Sequence, residues 1–323
     1  MAVDRKTQPA TGGRSVIQRT ELVEAYLDLG GQLVDLEDYA TTGLRIVAVG
    51  PSGVGKTNAG LYIAEQLADQ GWLSVLVDPE SEIESMYGAA VSPEELEAIL
   101  ERRERKIVVV AAKDATEFIP FGRVILEAAD THRKPLFVML DEGQVFSASR
   151  KRKNDIGTAS DLVNEIAQRG RKRALDLFMT ATSFTGSLHR HIFANKNLSL
   201  IGCQEDPAAW AALAPQFRSS KIEFGDLAAL GPGEFFCFSR RGVERVRMPM
   251  AEAMRQVAMQ APKIRPALPA TFSQWDRAMR DIPTLRLQAL TDPVVGLLAT
   301  VAGISPQQAM SGRRALEDEL ECR

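Results

Sequence analysis

The sequence predicts an α/β fold with a mainly parallel central sheet flanked by helices. Three observations carry that expectation. Short apolar, β-branched runs alternate along the chain with longer amphipathic stretches, the pattern of strands joined by crossover helices. One run, Leu44–Gly50 (LRIVAVG), leads straight into a glycine-rich turn and then a helical stretch. Another, Leu136–Glu142 (LFVMLDE), ends in two adjacent acids.

Residues 1–15 are polar and rich in Gly, Pro and Thr, and are expected to be a disordered tail. A main domain is expected over residues 16–260. It opens with a short helix over 16–29, whose apolar face would carry Leu22, Val23, Tyr26, Leu27 and Leu29. Buried strands are expected at Leu44–Gly50, Leu73–Glu80, Lys106–Asp114, Pro135–Glu142, Leu175–Thr182 and Asn197–Gln204. Leu61, Ile63, Ala64 and Leu67 recur at helical spacing after the first strand, and Gly71 would stop that helix. A charged helix is expected from about Pro93 to Arg105, and one over Thr116–Asp130 interrupted at Pro120. Gly233–Arg240 and Val243–Met250 read as a terminal β-hairpin.

From Ala261 the character changes. Residues 261–271 hold three prolines, at 262, 266 and 269, and read as a linker. Residues 272–323 read as a small helical segment. There Val294, Val295, Leu297 and Leu298 form one helix, and Ser305 with Pro306 would cap the next. This arrangement suits a helix-turn-helix with Arg313 and Arg314 outward, and equally a plain αα-hairpin docking on a partner.

Composition narrows the classes. Hydrophobic content of 45%, charged content of 25% and 323 residues are those of a globular protein with one large domain and an appendage. The net charge of −3 argues against bulk polyanion binding, so any nucleic-acid contact needs a local basic patch. Cys203, Cys237 and Cys322 have no metal-ligand spacing and read as reduced thiols of a cytoplasmic protein. There is no apolar run long enough to span a bilayer and no signal peptide, so no integral membrane segment is expected. His189 and His191 flank an arginine, but no third ligand stands at fitting spacing for a metal.

Gly50–Thr57 (GPSGVGKT) matches the phosphate-loop pattern G-x-x-x-x-G-K-[ST] at every fixed position. A glycine-rich turn aims backbone N–H groups inward at an anion, and the helix that starts there adds its positive dipole end. Nucleotide binding is therefore assigned to Gly50, Pro51, Ser52, Gly53, Val54, Gly55, Lys56, Thr57 and Asn58. Lys56 supplies a charge for the β- and γ-phosphates and Thr57 a hydroxyl for Mg²⁺. The strand ending at Asp141 and Glu142 reads as a Walker B strand: Asp141 for the Mg²⁺ shell, Glu142 to activate the attacking water. The implied cofactors are ATP and Mg²⁺.

Four stretches in this order resemble the HerA/FtsK superfamily of ring-forming P-loop ATPases, whose core is RecA/FtsK-like. They are GPSGVGKT; VLVDPESE, Val75–Glu82; VMLDEGQVF, Val138–Phe146; and EIAQRGRKRALDLFMTATS, Glu165–Ser183. Asp226–Phe238 (DLAALGPGEFFCF) is similar to the stretch that closes the family's domain. The resemblance covers about Leu44–Met250. It implies that a helix ends in a Gly170–Arg171–Lys172 turn, and that Arg171 reaches a neighbouring subunit's γ-phosphate, with Arg169 and Arg173 as rivals. The family carries Gln, often followed by Arg-Pro, at the end of the next strand; Thr182, Ser183 and Phe184 stand there. Thr182 is then the residue to hydrogen-bond a water or the γ-phosphate. The cationic run Arg150, Lys151, Arg152 and Lys153 would line a central pore along a phosphate backbone, or be a solvated loop. The cations Arg240, Arg241, Arg245 and Arg247 read as a solvated hairpin edge.

The resemblance implies a minimal motor domain like those of viral genome-packaging and mobile-element ATPases. It would be a homo-oligomeric ring, probably of six, that hydrolyses ATP to move double-stranded DNA, in the cytoplasm or on a virion portal. A capsid, nuclease or secretion apparatus is the kind of further partner implied. Two alternatives share the core: an ATPase energising secretion or conjugation, and an ATP-gated scaffold with little turnover.

Overall fold

The computed structural model describes residues 25–132, 135–147, 154–173, 175–183 and 188–260. The tail over 1–15, the run Arg150–Lys153, the linker and the segment 272–323 lie outside these residues. So do Phe184 and most of the expected first helix.

The described elements are, in order, β1 (Tyr26–Asp28), β2 (Leu33–Asp35), a 3-10 turn (Leu36–Tyr39), β3 (Arg45–Val49), α1 (Lys56–Asp69), β4 (Leu73–Asp78), α2 (Glu84–Tyr87), α3 (Pro93–Arg102), β5 (Ile107–Ala111) and α4 (Ala115–His132). There follow β6 (Leu136–Leu140), a 3-10 turn (Gly143–Val145), α5 (Asp155–Arg173), β7 (Leu175–Ala181), α6 (Arg190–Asn195), β8 (Leu198–Ile201), α7 (Pro207–Phe217), α8 (Phe224–Ala228), β9 (Glu234–Ser239), β10 (Gly242–Arg247) and α9 (Glu252–Gln260).

Eight strands form one sheet in the order β10-β9-β8-β3-β7-β6-β4-β5. All pairs from β8 to β5 are parallel; β8–β9 and β9–β10 are antiparallel. Alternate residues of each strand face opposite layers, as the two-residue strand period requires. Val47 and Val49 of β3 join the core with Phe118 and Ile125 of α4 and Val163 and Ile166 of α5. Ile46 and Ala48 join the opposite core with Leu61, Ile63 and Leu67 of α1. Every residue of β4, β6 and β7 is buried, which is why these segments read as unbroken apolar runs.

Three expectations are corrected. Tyr26–Asp28 is a strand, not part of a helix, and pairs antiparallel with β2. Asp28 Oδ1 accepts the N–H groups of Gly30 (2.8 Å) and Gly31 (3.3 Å), and this side-chain turn reverses the chain. A Cβ at Gly30 would lie 1.8 Å from the Arg247 carbonyl oxygen, and φ there is +77°. Leu27, one of the apolar residues that suggested a helix, instead pairs in register with Val34, and both are buried against the α1 side of the sheet. Second, α4 runs unbroken through Pro120. Pro120 and Thr116 are both exposed, and the only helical bond the proline removes is its own to the Thr116 carbonyl. Third, α3 ends at Arg102, because Arg103 takes a left-handed cap conformation (φ +57°). From there its guanidinium donates to the carbonyls of Gly71 and Pro135, at 2.9 and 3.2 Å. The start of α3 follows the rule for its sequence: Ser92 and Glu95 form a reciprocal capping box with Pro93 in the first turn.

The hairpin cations are partly spent inside the fold. Arg240 donates to the Asp38 carbonyl (2.7 Å) and lies over the Tyr39 ring, while Arg241 pairs with Asp38 at 3.1 Å. Together they hold the β9–β10 turn on the 3-10 turn after β2. Glu234 takes Arg245 at 2.8 Å.

At the end of the sheet away from the phosphate loop, the buried Asp176 accepts the Leu44 N–H (2.7 Å) and the Trp72 Nε1–H (2.9 Å). Burial pushes its carboxyl up from the usual range, and these two donors, with Arg45 nearby, pull it back. Truncation would leave the buried Leu44 N–H and the part-buried Trp72 Nε1–H unpaired. Asp176→Ala is expected to cost about 2 kcal/mol in urea unfolding, with nucleotide affinity unchanged; an unaltered midpoint refutes this role.

Candidate nucleotide site

The site sits at the carboxyl ends of β3, β7 and β6, which the sheet order brings side by side. β7 lies between the phosphate-loop strand and the acid-bearing strand. Its register sets Ala48 opposite Thr180 and Val49 opposite Ala181 on one flank, and Leu140 opposite Met179 on the other. The Gly50 N–H donates to the Ala181 carbonyl at 3.2 Å, so the loop leaves the sheet bonded to its middle strand.

Gly50–Gly55 forms the turn and Lys56 opens α1. Gly55 has φ +95°, and a Cβ there would meet the backbone of Gly233 at 3.2 Å. A side chain is thus barred both by backbone conformation and by the loop before β9. The same contact is tied by the Gly233 N–H donating to the Val54 carbonyl, 2.9 Å. The Lys56 side chain is buried, and its Nζ donates to the Pro51 carbonyl at 3.1 Å. Burial draws its ammonium below the usual lysine range, and the Glu142 and Asp141 carboxylates only partly offset this. A polyphosphate's anionic oxygens in the loop would remove that deficit.

Asp141 lies just past β6 and is 8% exposed. Its Oδ2 accepts the Thr57 hydroxyl at 2.9 Å and its Oδ1 the Thr180 hydroxyl at 2.8 Å. Burial pushes the Asp141 carboxyl up, and these donors pull it down. A hydroxyl that donates to Asp141 keeps its lone pairs, so Thr57 and Asp141 together offer oxygen donors of the kind a hard divalent cation takes. They fit Mg²⁺.

Glu142 holds a left-handed backbone (φ +45°), which a side-chain-bearing residue adopts only at a cost near 1 kcal/mol. Its carboxylate is half-buried and accepts the Gln144 amide. Thr182 stands one residue past the end of β7 and is exposed. Gly170, Arg171 and Lys172 lie within the last turn of α5, which continues to Arg173 rather than breaking into a turn before it.

Asn58 points elsewhere. Its amide donates to the Pro249 carbonyl and accepts the Ala251 N–H, each at 2.9 Å. Two turns along the helix, Glu65 accepts the N–H groups of Glu252 (2.7 Å) and Ala253 (3.0 Å), capping α9. Helix α1 therefore carries the phosphate loop at its start and clamps the segment leading into α9 along its length. His189 and His191 serve locally: His189 Nδ1 accepts the His191 N–H and caps α6. Burial pushes the Cys237 thiol up to about 12 and rules it out as a nucleophile near neutral pH.

The sequence reading missed Thr180. One signal was present, a polar residue inside the otherwise apolar end of LDLFMTA, but its meaning depends on β7 lying next to β6.

No protein-family model matches the sequence, and no curated protein matches it. Solved structures do match its fold. The genome packaging NTPase B204 from Sulfolobus turreted icosahedral virus 2, in complex with ATPγS, superposes with TM-score 0.52 at 14% identity, over 64% of this chain and 98% of that one. B204, the DNA-packaging ATPase from Sulfolobus turreted icosahedral virus, gives 0.51 at 12% identity, over 65% and 99%. The pCW3 conjugation coupling protein TcpA, in a monomer form with ATPγS, gives 0.53 at 13% identity, over 74% and 72%. This chain shares their fold, a P-loop NTPase core.

Because both faces of the Asn58 amide are occupied by residues 249–251, its side chain belongs to the clamp. Asn58→Ala is expected to lower stability by about 2 kcal/mol and to change nucleotide affinity by less than about two-fold. Calorimetric unfolding and nucleotide titration check the two halves; an affinity loss with unchanged stability refutes it.

Proposed function

We propose that the protein is a Mg²⁺-dependent ATPase. The observation that carries this is the meeting of Thr57 and Asp141 at 2.9 Å beneath the phosphate loop, with Glu142 next in the chain. The loop N–H groups and Lys56 hold the β- and γ-phosphates. Thr57 and Asp141 would hold Mg²⁺, whose charge would offset that of the phosphate oxygens. Glu142 accepts a hydrogen bond from the attacking water and aims it in line with the bond to be broken. Thr182, which is exposed, would hydrogen-bond that water or the γ-phosphate. No covalent intermediate is required, so catalysis rests on position and charge.

The finer reading is a ring motor that translocates double-stranded DNA. It is supported by the fold shared with a genome packaging NTPase and a conjugation coupling protein. In a ring, Arg171, with Arg169 and Arg173 beside it, would complete a neighbour's site, since a fixed forked cation suits a γ-phosphate losing its bond. Arg150–Lys153, closely following the Walker B strand in sequence, would track the DNA backbone. An ATPase of a conjugation or secretion apparatus has the same core and differs in what it moves.

The test is ATP turnover with and without linear double-stranded DNA across a salt series. Glu142→Gln is expected to lower turnover by about 100-fold or more. DNA stimulation that fades with salt supports the motor. Turnover indifferent to DNA sinks the DNA reading but not the ATPase, and binding without turnover sinks the ATPase.

A further inference from the structure

The hydroxyl of Thr180 is the junction of the two acids. It is fully buried, donates to Asp141 Oδ1 at 2.8 Å and accepts the Glu142 N–H at 2.7 Å. The direction of these bonds is determined by chemistry. A backbone N–H only donates, so the hydroxyl must accept there, and its single proton is left for Asp141. Asp141 Oδ1 is thereby an acceptor, while Oδ2 takes the Thr57 proton at 2.9 Å. One chain of bonds runs from the phosphate-loop helix through Thr57, Asp141 and Thr180 to the backbone of Glu142.

The same strand backs the turn that aims Glu142. A Cβ at Gly143 would lie 2.9 Å from the Thr180 carbonyl and 2.7 Å from Met179 Cε. The Glu142–Gly143 turn is therefore pressed directly on the end of β7. The strained backbone of Glu142 needs such an anchor, because strain of this kind persists only where surrounding contacts over-determine it.

We propose that Thr180 is a positioning residue of the ATPase site, holding Asp141 in the orientation that takes Mg²⁺ and Glu142 in the orientation that takes the water. The proposal rests on the ATPase reading above. It differs from the role expected of Thr182, which is exposed and would meet the water or the γ-phosphate itself. Its hydroxyl is bonded to the two acids, and Thr180 acts through them.

Thr180→Val keeps the side-chain shape and removes the hydroxyl; Thr180→Ser keeps the hydroxyl. Two readouts are used on the full chain: the Mg²⁺ concentration for half-maximal binding of a fluorescent ATP analogue, and kcat. A side chain hydrogen-bonded to a metal ligand typically governs about 10–100-fold in affinity or rate. Thr180→Val is expected to raise the half-saturating Mg²⁺ by about ten-fold or more, with analogue binding in EDTA within about two-fold of wild type. Its kcat is expected to fall by about ten-fold or more, and Thr180→Ser to recover most of both. An unchanged Mg²⁺ requirement in the Val variant overturns the proposal. So does an equal loss of binding with and without Mg²⁺, which marks damage to the fold, or a Ser variant no better than Val. A wild type that binds Mg²⁺–nucleotide without turning it over defeats the ATPase reading alone, since the Mg²⁺ titration still decides Thr180.

Discussion

The hydrogen bond between Thr57 and Asp141 joins two segments 84 residues apart, and the rest of the site depends on it. It sets the phosphate loop against the end of the acid-bearing strand. Neither strand touches the other directly; β7 lies between them. The contact is therefore made over the end of β7, by a hydroxyl at the helix start and a carboxylate just past its strand. Both must stop at the same level. The parallel register achieves that by placing Val49 against Ala181, and Leu140 against Met179. A slip of one residue would carry Asp141 to the wrong face of its strand.

Charge balance follows from the same crowding. Lys56, Asp141 and Glu142 lie close enough to influence one another, and the first two are buried. Lys56 is pulled below its ordinary range and Asp141 above it by desolvation. Each is a charge held in place before its ligand arrives. Ligand and cation then meet groups that need little rearrangement, which is the condition for electrostatic stabilisation without reorganisation.

Helix α1 extends this outward. Gly55 against Gly233, Asn58 on residues 249–251 and Glu65 at the start of α9 bind the phosphate-loop helix to the segment that leads out of the sheet. A single helix thus carries the nucleotide loop at one end and anchors the exit of the domain along its side.

Much of this was legible in the chain because it is local. GPSGVGKT between an apolar strand and an amphipathic helix needs only spacing and residue type to be read as an anion cradle, and LFVMLDE needs only its terminal acids. The strands β3 to β8 announced themselves as apolar runs because both their faces are buried. What failed was also local: Tyr26, Leu27 and Leu29 suit a helix or a hairpin, and Asp28 with Gly30 decided it through a turn made on folding. The roles of Thr180, Asp176 and Asn58 could not be assigned from the chain alone. Each is a polar residue whose partner lies far along the chain, Asp141, Leu44 and Pro249 respectively. By itself the sequence determined the class of fold, the phosphate loop and the two acids, since those depend on neighbours a few residues away. Only the tertiary structure decided which strand lies between them and which buried hydroxyl ties them, because strand order is settled by packing across the whole sheet and leaves no trace in local spacing.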